Sequence, residues 1–367
     1  MNLDFSDEQK AARDELRRLL SDHPGLGSAR AALEARAAFD VKLWQQLGEL
    51  GWLAAAIPRQ YGGQGLGHEM LCCVAGEIGR SMAAVPFGAS ILLAAEALLI
   101  GGTEAQRHAY LPGLASGKKI GAFAIAETAG ALTHESIRAS FDDGRLVGTK
   151  IGVSDGMAAD LLVVVARSAG EPGLFVIEAS DSGVHREPQI GVDPSHAPAK
   201  VRFEGARAEP LAALTGWEGV RRLLDRAAVS VAFEQVGAAD AALEMATTYA
   251  KTRRAFGRLI GSFQAVKHKL ADVFIATELA RANGFYAAWA LQANAAPLAL
   301  AAATARVSAT EALERAAREL IQIHGGIGVT WAHDCHLFYR RAQHLGVMLG
   351  SLREWQHRVV VELARKA

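Results

Sequence analysis

Arg253-Arg254-Ala255-Phe256-Gly257-Arg258 is followed closely by Gly261-Ser262-Phe263-Gln264, and the pair stands between long helical stretches. Ahead of it, Leu223 to Thr252 carries Ala, Val and Leu on nearly every face, the pattern of a helix buried in a bundle. Behind it, helical periodicity runs from about Phe263 to Asn294 and from Leu298 to His324. The second of these closes on Gln322-Ile323-His324-Gly325-Gly326. A last helix starts at Ser351, which pairs with Glu354 as a capping box. This spacing predicts a C-terminal four-helix bundle over 213–367.

Upstream the texture changes. The change comes near Gly117, and from Ile120 to about Phe203 the chain favours strands, with Phe123 to Ala126, Leu161 to Val165 and Leu174 to Ile177 the clearest, punctuated by Gly, Asp and Pro. Residues 1–116 read as helices: a capping box at Ser6 and Gln9, then Phe39 to Leu50, Glu69 to Met82 and Ala89 to Ile100, with Thr103 capping the next. The fold class expected is α+β: an N-terminal helical domain (1–116), a central β domain (117–212) and the bundle.

The 367 residues are half hydrophobic, enough for a large core, and 39 basic side chains balance 39 acidic ones. A neutral chain makes no electrostatic case for nucleic acid or an anionic membrane surface. Cys72, Cys73 and Cys335 are odd in number, so a disulfide framework is not expected and a reducing compartment fits. No metal is expected either: in His333-Asp334-Cys335-His336 a helix end should scatter the side chains. The acidic start carries no signal-peptide pattern, and the apolar run Ile91 to Ile100 is too short to span a bilayer. These features point to the cytoplasm.

The order of elements, with its local motifs, resembles the acyl-CoA dehydrogenase family over essentially the whole chain. Leu47-Gly48-Glu49-Leu50-Gly51-Trp52, Ile57-Pro58 and Tyr61-Gly62-Gly63 are similar to its N-terminal signature, and Gly102-Thr103-Glu104 with Tyr110-Leu111-Pro112 to its entry into the β domain. The most specific matches are the Arg253–Gln264 and Gln322–Gly326 motifs. The resemblance implies FAD as cofactor, acyl-CoA as substrate, and dehydrogenation across Cα–Cβ. It implies FAD contacts from Arg253, Phe256, Gln264, Gln322, Gly325 and Gly326, with Ser154 on the ring side and Asp225 on the substrate side. An arginine fork suits a pyrophosphate, a helix start favours an anion, and paired glycines permit close backbone approach. Each motif alone equally fits a dipole-complementing arginine and C-cap glycines. In the family the Arg–Phe–Gln and Gln–Gly–Gly residues serve a neighbouring subunit's flavin, whose ring sits on that neighbour's own β domain, which implies an obligate oligomer.

The other half of the pattern is worn. Leu349 stands where many members carry the glutamate base, and Ala227 where a minority carry it. Asp225-Arg226-Ala227-Ala228 keeps the Asp of an Asp-x-x-Arg motif and lacks its Arg. Ala126, Leu132 and Gly152 replace a hydroxyl, a serine and a ring-shielding tryptophan. Replacement bases to weigh are Asp225, Glu234 and His344. The reading that follows is a subunit that completes the FAD site of a base-equipped partner, as a heterotetramer, with an electron-transfer flavoprotein as a compatible acceptor. The alternatives are a homo-oligomeric enzyme with a displaced base, Asp225 foremost, and a flavin-free scaffolding protein.

Overall fold

The computed structural model describes residues 4–23, 25–34 and 39–365; the first three residues of the N-terminal stretch read above lie outside them. Helices α1 (Asp7–Asp22), α2 (Gly25–Leu33), α3 (Val41–Glu49), α4 (Gly67–Arg80), α5 (Glu96–Gly101) and α6 (Glu104–Ala115) come first. Strands β1 (Gly121–Ala124), β2 (Ser140–Asp142), β3 (Arg145–Val153), β4 (Leu161–Ser168), β5 (Glu171–Glu178), β6 (Val184–Pro188), β7 (Ala199–Arg207) and β8 (Glu209–Thr215) follow. The C-terminal part holds α7 (Gly216–Thr252), the short strands β9 (Arg254–Ala255) and β10 (Arg258–Leu259), α8 (Gln264–Gln292), α9 (Leu298–His324), α10 (Cys335–Val347) and α11 (Leu352–Ala364). Helical N- and C-terminal regions thus flank a central sheet in the sequence, as expected. The chain forms two compact units, each drawing on separated segments.

One unit comprises Ala35–Leu71 and Ala84–Ala227. Its sheet runs β6-β7-β3-β2-β4-β5-β8, with β1 added parallel to β4. Leu162, Val164, Phe175, Ile177, Val201 and Phe203 fill its core. Strand β1 begins and ends two residues before the expected segment: Ala126 lies past its end, its carbonyl accepting the Ile151 N–H (2.8 Å). The helix expected from Ala89 to Ile100 is not uniform. Gly88–Ala95 is π-helical and only then gives way to α5. Every residue of that turn is buried, so packing rather than helix propensity sets its geometry. Thr103 caps α6 in a full capping box with Gln106.

The second unit comprises Met1–Glu34, Cys72–Ala83 and Ala228–Ala367. Both expected capping boxes are present, Ser6 with Gln9 and Ser351 with Glu354. Helices α8, α10 and α11 all pack on α9. The end of α4 and the adjoining turns of α7 touch backbone to backbone: a Cβ on Gly79 would collide with the Glu234 carbonyl, and one on Gly237 with the Gly76 carbonyl. Only glycine allows this approach. Gly237→Val should therefore lower unfolding stability by about 3 kcal/mol, the upper range for overpacking; urea denaturation would measure it.

Candidate functional site

In the helical unit, α7 ends at Thr252 and the chain reverses through the β9–β10 hairpin. Phe256 and Gly257 occupy its turn, both left-handed at φ +51° and +78°. Phe256 is 94% exposed. An aromatic side chain held in that backbone region and left almost wholly in solvent gains little from its own fold, the combination that marks a surface built for contact. The hairpin is steadied from behind by Phe263, which lies 6.3 Å from Phe256 in a T-shaped pair and 4.0 Å beneath the Arg258 guanidinium. Arg253 is exposed, and its carbonyl accepts the Ile260 N–H (2.9 Å). Gln264 is exposed at the first position of α8, whose cap residue Phe263 offers no side-chain acceptor to the free N–H groups.

The second motif sits at the end of α9. Gly325 takes φ +61° and ψ −139°, a conformation open essentially only to glycine. A Cβ on Gly325 or Gly326 would meet nothing within 4 Å, so both face open space, and Gln322 is exposed beside them. A cradle of this kind fits the phosphates of FAD. The two motifs meet through Tyr249, one turn before Arg253, which stacks at 4.1 Å on His324, the neighbour of Gly325. Sequence reasoning missed both residues. An aromatic one turn before the arginine and a histidine against the glycine pair were the available signals. The expectation that the helix end scatters His333 and Cys335 is also overturned: their ligand atoms and that of His324 lie within 4.8 Å of one another. Cys335 opens α10, and a side chain there leans back toward the preceding turn.

The other expected residues belong to the β-domain unit. Ser154 is half-buried just beyond β3. Gly152, at φ +61°, donates its N–H to Gln189 Oε1 (2.7 Å) and faces open space. The stretch after Ala126 is organised by Glu127, which accepts from Lys150 Nζ (2.6 Å) and from the N–H groups of Arg138 and Ala139. Burial pulls the Lys150 ammonium down to about 8, although Glu127 opposes this.

Asp225 is 7% exposed on α7. Next to it, Arg226 pairs with Glu96 and lies 3.1 Å from His68 Nε2, which is also 3.0 Å from Glu96 Oε2. With its proton, that nitrogen donates to Glu96; without it, it accepts from Arg226. Burial would raise the Glu96 carboxyl, but His68 and Arg226 more than offset this and hold it at about 2. Arg226 cannot substitute for the arginine missing at position 228. Two residues on a helix are roughly 200° apart, so the two positions face opposite ways. The cluster was not legible beforehand, because its members are 28 to 158 positions apart.

Among the positions weighed for a base, Leu349 is 2% exposed and its carbonyl accepts the Trp355 Nε1–H (3.0 Å). Ala227 is buried. Glu234 is buried 3.7 Å from Arg341, a structural partner, and His344 is half-buried on α10. Among the described residues, no helix is long and apolar enough to cross a membrane.

Known proteins share this architecture. Residues 6–118 match the model of the acyl-CoA dehydrogenase N-terminal domain, and residues 215–362 that of the C-terminal domain. The acyl-CoA dehydrogenase IpdE2 of Mycobacterium tuberculosis is 34% identical over 358 residues, covering 97% of this chain and 98% of that one. Among solved structures, a variant of the Tcur3481–Tcur3483 steroid ACAD superimposes with a TM-score of 0.90 at 30% identity, covering 98% of both chains. The ChsE4–ChsE5 complex from Mycobacterium tuberculosis gives 0.90 at 28% identity, covering 99% of both.

The Glu96 cluster has a definite pH signature. Its folded carboxyl lies below the ordinary 4.5, so the stabilisation is complete above pH 4.5 and is lost as pH falls toward about 2. Glu96→Ala should cost about 3–5 kcal/mol near neutrality, since it strands a buried guanidinium. It should also flatten the stability profile between those pH values. Chemical denaturation as a function of pH reads both effects.

Proposed function

This chain belongs to the acyl-CoA dehydrogenase family, and on that premise we propose that it is the supporting subunit of a heteromeric acyl-CoA dehydrogenase, completing the FAD site of a base-bearing partner. The coarser assignment is plain: an FAD-dependent oxidoreductase of the acyl-CoA dehydrogenase type. The observation that carries the finer one is a contrast. The motif residues at the end of the bundle are exposed around an open glycine turn, while the position of the family's glutamate holds Leu349 in packed core.

FAD, when bound, supplies the hydride acceptor for oxidation across Cα–Cβ. In the proposed role Arg253 grips the pyrophosphate as a fork, and the Gly325–Gly326 backbone approaches the same group. Phe256 lays an apolar face beside the nucleotide and excludes water from it. Gln264 and Gln322 supply polar contacts next to these. Leu349 cannot take a proton from Cα, so that step falls to the partner. Two solved relatives are named as two-component assemblies, one of them a steroid ACAD, which supports a paired chain and a bulky, ring-bearing acyl group.

Arg253→Ala should weaken FAD retention by roughly 1.5–3 kcal/mol, the scale of a charge-assisted hydrogen bond; flavin content after gel filtration of the assembled protein measures it. The pure chain should hold little FAD and turn over straight-chain acyl-CoAs poorly. A base-bearing family partner should restore about one flavin per pair, as a site split between two chains requires. Leu349→Glu should add no activity and should destabilise the chain, because it buries a carboxylate. Full flavin occupancy and fast turnover in the pure chain, abolished by Asp225→Asn, would install the homo-oligomeric alternative instead.

A further inference from the structure

The turn behind the glycine cradle gathers three side chains that the flavin assignment does not use. The ligand atoms of His324, His333 and Cys335 all lie within 4.8 Å of one another, with His324 and Cys335 buried and His333 half-buried. We propose that these three residues form a binding site for a soft divalent cation of the Zn²⁺ type, with solvent filling the fourth position. Two nitrogens and one sulfur sharing one tetrahedral zinc stand roughly 3.3–3.5 Å apart, given Zn–N near 2.0 Å and Zn–S near 2.3 Å. Small side-chain rotations close the present spacing to that value. One thiolate and two imidazoles are a donor set that favours zinc over hard cations.

Three features argue for a built site rather than chance proximity. The Nδ1–H of His324 donates to the Leu320 carbonyl (2.8 Å), which leaves Nε2 with its lone pair outward. A backbone carbonyl orienting the far side of the ring is the usual support of a metal-binding histidine. The ring plane is further held by the stack on Tyr249. In addition, the neighbours that would compete are engaged elsewhere. Asp334 pairs with Arg30, while His336 donates to the Trp331 carbonyl and accepts from Arg340. Of four consecutive polar residues, then, the two left facing His324 are His333 and Cys335. The long contact from the Cys335 N–H to His333 Nδ1 (3.4 Å) is weak enough to yield. On binding, the Cys335 thiol passes its proton to solvent and its sulfur takes the metal bond. The ion would tie the end of α9 to the start of α10 across the turn that carries Gly325 and Gly326.

The test uses the full chain, reduced and freed of metal by a chelator, then equilibrated with Zn²⁺ and analysed for bound metal. About one zinc per chain is expected, with a higher melting temperature. Cys335→Ser and His333→Gln should each weaken uptake roughly tenfold or more, since loss of even a residue that only orients a ligand costs about that much. Cys72→Ser should bind as the native chain does. Circular dichroism confirms the fold of each variant, and if Cys335→Ser does not fold, His333→Gln decides. No stoichiometric uptake by the native chain, or undiminished uptake by folded His333→Gln, overturns the proposal.

Discussion

Helix α7 carries charged and amide side chains into the protein interior, and each needs a partner there. Arg226 is answered by Glu96 and His68. Glu234 is answered by Arg341, and Gln235 by Arg306 and Thr310. An Ala-rich helix surface has little relief with which to choose one packing register over another. A buried charge left without its partner costs roughly 3–5 kcal/mol, so a slip of one turn is heavily penalised. Within the β-domain unit this constraint holds α5 and the start of α4 to the start of α7. Within the helical unit it holds α9 and α10 to the residues that follow Ala228.

The same constraint bears on chemistry. The arginine at 226 is committed to Glu96, on the opposite side of α7 from position 228, where the family pattern places its arginine. Leu349 completes a packed core, and its carbonyl is fixed by Trp355. These positions are coherent as structure, and Leu349 carries no group that could take up a proton. The end of the bundle shows the reverse. Phe256 is strained and exposed, Gly325 and Gly326 face open space, and Arg253 reaches solvent. Stability does not explain these features, whereas the proposed role, a ligand shared with another subunit, would.

Much was determined by the sequence alone. The span of α9, the capping boxes at Ser6 and Ser351, the cap at Thr103, and the buried character of α7 were all legible in it. So were the helix–sheet–helix order and the two motifs at the helix ends. These signals are local: a cap acts over three residues, and an amphipathic face repeats within one or two turns. Tertiary structure alone decided that Tyr249 stacks on His324, that His333 and Cys335 close around the same ring, and that Glu96 meets Arg226 across 130 positions. It also decided that Gly88–Ala95 winds as a π-helix, against the expectation of an ordinary one. Such contacts form only when distant segments close on each other, and side-chain direction at a turn depends on what packs against it. No periodicity within a short window encodes that choice.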